Sequence, residues 1–258
     1  MVAYGWSASI PLVLALAALC CLFRLFALRL ASVYPSLCYF LAFQITQIAA
    51  SIATGLRSDA YEVVYVALLL PEWIVYGFMM REIYASIFSD YPGIAVLGRW
   101  SVYGALVATG LILAVSVGVW RSLFTGQESI LPLVETVAHC FTFGFALLIL
   151  IILAAISRYP LILHKNVLIN ATLFGAILLG EASGLIADQV VWRKHTAWIN
   201  LAVNLNTTIC LLLWPLLLSR EGQTRVLRLR RHVDPEDENR LLGQLSAISS
   251  IIMGTARK

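Results

Sequence analysis

The sequence predicts an all-α protein: a polytopic bundle of seven membrane-spanning helices followed by a short cytoplasmic amphipathic helix. Three observations carry that prediction. The 258 residues are 60% hydrophobic and only 12% charged, about half the charge of an ordinary soluble domain, with a mean hydropathy of +0.87. The apolar residues gather into runs of about 20, the length a helix needs to cross a bilayer while satisfying its own backbone. The basic residues collect at alternate ends of those runs. Such a composition excludes a disordered chain, an ordinary soluble enzyme and a nucleic-acid-binding module.

Seven runs are read at 9–31, 37–56, 61–83, 100–120, 131–156, 164–187 and 196–219. Residues 1–219 thus form one bundle, and residues 220–258 differ sharply in composition. The first run has no Lys or Arg before it, and Arg24 is the first basic residue. A secretory signal would place its charge ahead of the apolar stretch, so this run is expected to remain as the first span. Short connectors imply antiparallel neighbours.

Counting Lys and Arg sets the expected threading. Arg24, Arg29, Arg81, Arg99, Arg158, Lys165 and eight residues of the tail fall on one side, against Arg57, Arg121, Arg193 and Lys194 on the other. Fourteen against four places the N-terminus outside and the C-terminus in the cytoplasm of a plasma (inner) membrane. The three expected cytoplasmic loops carry Tyr34-Pro35, Tyr91-Pro92 and Tyr159-Pro160, each ahead of an even-numbered span. Proline suits the first helical position, where its missing N–H would be unpaired anyway, and tyrosine suits the headgroup level. Convergent helix starts and an old 2+2+2+1 hairpin duplication both account for the pattern.

Ionisable groups at bilayer depth cost roughly 2.5–3.5 kcal/mol each and mark functional candidates. Glu72 lies near the middle of the third run, between Pro71 and Trp73. Glu135 and His139 share a face of the fifth run at i, i+4. Glu181 sits between Gly180 and Gly184 on the sixth. Asn200 and Asn204 share a face of the seventh, and Gln47 lies on the second. Measured from the expected outer ends, all but Glu72 fall within about nine residues, or ~14 Å, with Glu72 slightly deeper. Two readings follow: one outward-facing polar pocket that binds a ligand or proton above an apolar plug, or separate polar contacts between helices. Glu72 and the Glu135/His139 pair favour the first reading, because carboxylates and histidine can carry protons, and the amides favour the second. Gly180 and Gly184 fit the small-xxx-small spacing of a tight helix contact.

Several chemistries lack their residues. A retinal Schiff base needs a lysine inside a span, and Lys165, Lys194 and Lys258 all lie at loops or the terminus. Haem ligation lacks a second histidine at the depth of His139, and no His/Asp set specifies a metal site. The five cysteines have no metal-ligand spacing, and no Walker loop, GxSxG elbow or CxxC pair occurs. No cofactor or metal is therefore expected, and no catalytic residue is assigned.

In the tail, Arg225 to Arg231 form a basic cluster attracted to anionic lipid. Asp234-Pro235-Glu236 then begins a helix whose Leu241, Leu242, Leu245, Ile248, Ile251 and Ile252 make an apolar stripe before Gly254. Residues 233–254 are the expected surface for a protein partner, the bundle or the membrane. Short apolar loops ending in an aromatic or basic residue plus proline, with Pro71-Glu72-Trp73 on the third span, resemble the seven-transmembrane sensor regions of bacterial histidine kinases. The resemblance covers residues 10–219 in arrangement. It implies a receptor-like membrane half, while residues 220–258 carry no kinase, cyclase or HAMP-like domain. The expected function is a non-catalytic sensory, signalling or scaffolding membrane protein. A small proton-coupled transporter and an integral subunit of a larger complex or homo-oligomer are the alternatives.

Overall fold

In the computed structural model the described residues are 3–54, 59–89, 104, 107, 131–158, 162–190, 196–224, 226–228, 243, 244 and 247. They are mostly helical. Six long helices are α1 (Ala3–Ala27), α2 (Pro35–Thr54), α3 (Asp59–Ile87), α4 (Leu131–Arg158), α5 (Lys165–Val190) and α6 (Thr196–Leu217), with a single turn, α7 (Glu221–Thr224), after them. The expected fourth span, 100–120, lies outside the described residues except for Gly104 and Val107, which are helical. So do Tyr91-Pro92, Tyr159-Pro160 and all but three residues of the tail helix.

The helices close into a ring. Each packs on the next, α1 through α6, and α6 packs back on α1, while α3 also touches α5 across the interior. Their inward stripes follow helical spacing: Leu14, Ala18, Cys21 and Leu25 on α1; Leu37, Phe40, Leu41, Gln44 and Ile48 on α2; Phe141, Phe145, Ile149, Ile152 and Ile156 on α4. The outward faces are equally apolar. Phe23 is 77% exposed, Leu216 71%, and Leu16, Leu147 and Ile151 also face outward. A helix apolar all round suits lipid on one side and protein on the other. Three helical stretches, Pro35–Thr54, Lys165–Ala187 and Trp198–Leu217, are long and apolar enough to cross a membrane, with shorter apolar stretches at Pro11–Ala27 and Cys140–Ala154.

The first helix ends four residues earlier than its apolar run. Arg29 takes a left-handed backbone, φ 56°. The Leu30 N–H donates to the Leu25 carbonyl at 2.9 Å and the Arg29 N–H to that of Phe26 at 3.0 Å, the Schellman pattern of a helix stop. Buried Leu25 and Leu30 supply its hydrophobic contact. Because Arg29 is exposed and left-handed backbone favours glycine, Arg29→Gly is expected to raise stability by about 0.5–1 kcal/mol. A thermal-unfolding series in one detergent checks this, with Arg29→Val expected to shift the other way.

Pro35 opens α2 as the sequence predicts. Tyr34, just ahead of it, is buried, and its hydroxyl donates to Gln223 Oε1 at 2.5 Å. Burial, with the nearby Glu82 charge, pushes its phenol up to about 12, against a hydrogen bond with Asn166 that pulls it down. It therefore remains neutral at ordinary pH. At the same end, the Ser36 N–H donates to Glu82 at 2.9 Å, and Arg220 Nε donates to the Leu28 carbonyl at 2.9 Å. Two short antiparallel strands, β1 (Ile162–His164) and β2 (Val226–Arg228), pair Leu163 with Leu227. Part of the expected basic lipid-binding cluster is thus a strand hydrogen-bonded to the segment that leads into α5.

Candidate functional site

The site forms where α3 crosses α5. Glu72 and Tyr76 share a face of α3 at i, i+4. Gln47 reaches in from α2, and Glu181 from the stripe of α5 that also carries Phe174 and Ile177. Gln47 Nε2 donates to Glu72 Oε2 at 3.0 Å. The Tyr76 hydroxyl lies 3.1 Å from Glu72 Oε1, 3.1 Å from Glu181 Oε1 and 3.4 Å from Glu181 Oε2. Two carboxyl groups from different helices therefore meet at one hydroxyl. Tyr76 is buried, whereas Gln47, Glu72 and Glu181 are half-buried.

On the side facing the β1–β2 sheet, the array rests on aromatic rings. Phe174 meets the Tyr76 ring edge-on at 5.6 Å, Phe40 lies 5.9 Å from Tyr76, and Trp214 lies 6.0 Å from Phe40. Phe145 closes the α4 side at 6.4 Å, and Trp73 stacks on Phe141 at 4.4 Å. Trp214 Nε1 donates to Asn170 Oδ1 at 2.7 Å. One turn away, Asn166 Nδ2 donates to the Ser219 carbonyl at 2.8 Å. Polar groups thus lie above a packed aromatic floor.

The α6 stripe reads the same way. Asn200, Asn204, Thr207, Leu211, Trp214 and Leu218 recur at helical spacing along one face. The last four are buried, yet Asn200 and Asn204 are exposed. The face is covered near the sheet and open toward the other end.

Of the residues singled out from sequence, Gln47, Glu72 and Glu181 come together. Asn200 and Asn204 stand on the open part of α6, outside hydrogen-bond reach of those acids. Glu135 and His139 occupy α4 at i, i+4, but their side chains lie outside the described residues. Asn206 makes a separate contact, donating to the Ala176 carbonyl at 2.9 Å. Tyr76 joins the array, and Asn166 and Asn170 brace the helices beneath it, though the sequence expectations do not include them. The signal for Tyr76 was its four-residue spacing from Glu72. Asn166 and Asn170 were marked by the same spacing at the start of an apolar run.

Among the described residues no three His, Cys, Asp or Glu side chains are grouped to hold a metal. The array combines two carboxyl groups, one hydroxyl and the Gln47 amide: it can bind a proton or the N–H and cationic groups of a small ligand. Compared with protein-family models, curated proteins and solved structures, the chain matches none of them.

Proposed function

We propose that this chain is a seven-span protein of the plasma (inner) membrane, N-terminus outside, that reads a ligand or proton at Gln47, Glu72, Tyr76 and Glu181 and passes the signal to its cytoplasmic tail. The carrying observation is the convergence of Glu72 and Glu181 on Tyr76 inside helices whose outer faces are apolar. Acidic groups at such depth are costly and are kept where they act. A path to the tail supports the sensory reading. The helix carrying Glu181, α5, starts directly after β1, and β1 holds β2 of the tail, about 25 Å along the helix from Glu181. The remaining tail, including 233–254, then serves as the surface for a protein partner.

Hydrogen exchange tests this in full-length protein held in nanodiscs. Glu181→Gln is expected to change amide exchange of 162–164 and 226–228 by roughly 5-fold or more, the lower range of ordinary coupling energies. Exchange there identical to the parent protein removes the signalling reading. The same paired carboxyls favour proton-coupled transport as a second reading. Its mark is pH-gradient-driven uptake into proteoliposomes, lost in Glu72→Gln; uptake indifferent to that substitution excludes it.

A further inference from the structure

We propose that the array holds one proton beyond the tyrosine's own, carried on Glu181 and relayed through Tyr76 to Glu72. This rests on the reading of these residues as the functional site and names what the site binds.

The number of hydrogens available requires it. A tyrosine hydroxyl has one hydrogen to donate and lone pairs to accept with. Tyr76 lies 3.1 Å from a carboxyl oxygen on each side, so its hydrogen serves one contact only. In the other, two oxygens would face each other through lone pairs unless a hydrogen lies between them. That hydrogen belongs to a carboxylic acid, which then donates to the tyrosine oxygen.

The neighbours decide which carboxyl it is. Glu72 accepts from Gln47 Nε2 on one oxygen and faces Tyr76 with the other, the pattern of an ionised carboxylate with two donors. Among the described residues, the Tyr76 hydroxyl is what lies within reach of Glu181. The chain of bonds therefore runs from the Glu181 acid to Tyr76, and from Tyr76 to the Glu72 carboxylate. Among the described residues, the rings packed on the array are not ionisable: Phe145 on α4, Phe174 on α5 and Phe40 on α2. The side chains of Glu135 and His139, on α4, lie outside the described residues.

The same geometry moves the proton. As Glu181 releases its hydrogen to the Tyr76 oxygen, Tyr76 releases its own to Glu72. One O–H bond breaks and one forms at each transfer, and the net charge of the three groups stays the same. The proton crosses from α5 to α3 without a water between them.

Infrared spectroscopy of the full-length protein in nanodiscs tests this through the carbonyl stretch of a protonated carboxyl at neutral pH. The expected result is such a band in the parent protein, lost in Glu181→Gln, kept in Glu72→Gln, and shifted to higher frequency in Tyr76→Phe, where its hydrogen-bond acceptor is gone. No band sensitive to either substitution overturns the shared proton, and a band lost only in Glu72→Gln overturns its assignment to Glu181. Hydrogen exchange at the β1–β2 sheet, measured on the same Glu181→Gln sample, separates the two claims. A changed exchange without the band leaves the functional reading standing and removes the proton, and a band with unchanged exchange does the reverse.

Discussion

Trp214→Ala is expected to cost about 3–5 kcal/mol of stability, the range for deleting a buried large aromatic. The indole is fully buried and sits against Phe40 at 6.0 Å. If, as proposed, lipid surrounds the bundle, water exclusion contributes little between helices, and close packing with hydrogen bonds does most of the holding. Removing Trp214 strips both. It opens a void beneath the acid array and leaves buried Asn170 Oδ1 without its donor, a loss of about 1–3 kcal/mol by itself. Trp214→Phe keeps one aromatic ring in the site, leaves a smaller void than alanine and loses the N–H, so it falls between the parent and the alanine variant. The expected order of unfolding midpoints is parent, Trp214→Phe, then Trp214→Ala. An alanine variant as stable as the parent would show that the ring packing does not hold α2, α5 and α6 together.

That floor explains why the array is asymmetric. Below Tyr76 the Phe40 ring meets both Phe174 and Trp214, and the α6 stripe is buried from Thr207 to Leu218. Above it, Gln47, Glu72 and Glu181 retain some exposure, and Asn200 and Asn204 are open. The array is thus covered on one side and partly open on the other.

The parts legible in the sequence were those with a strong local signal. Apolar runs located the helices, Pro35 located the start of α2, and carboxylates in apolar surroundings singled out Glu72 and Glu181. The end of α1 was not legible, because it depends on Arg29 adopting a backbone that its residue type disfavours. Strands β1 and β2 have three residues each, too few for an alternating pattern to register. The contact of Tyr34 was not legible either, because its partner Gln223 is 189 positions away in the chain, and no local pattern reports such a contact. Tyr76 was hidden for a different reason. Tyrosine is ordinary in a membrane helix, so only its spacing from Glu72 distinguished it. The asparagines divided according to what stood opposite them: Asn206 faces the glycine seam of α5, while Asn200 and Asn204 face the open end.

That seam sets the second large effect. A Cβ added at Gly180 would run into the Asn206 side-chain amide, and one at Gly184 into a methyl of Val203. Asn206 crosses over Gly180 to reach the Ala176 carbonyl, one turn earlier on α5, so only a residue without a side chain leaves room for that bond. Gly180→Ala is therefore expected to cost about 1–3 kcal/mol through overpacking. Gly144 provides the comparison, since nothing lies within 4 Å of a Cβ built there. Gly144→Ala should be neutral or stabilise by up to about 1 kcal/mol, because alanine is the better helix former. A double-mutant cycle decides the cause. If the amide is the obstacle, the cost of Gly180→Ala falls by at least about 0.5 kcal/mol in an Asn206→Ala background, beyond the error of additive sites. Strict additivity would mean that the α5–α6 contact does not depend on the amide crossing the glycine.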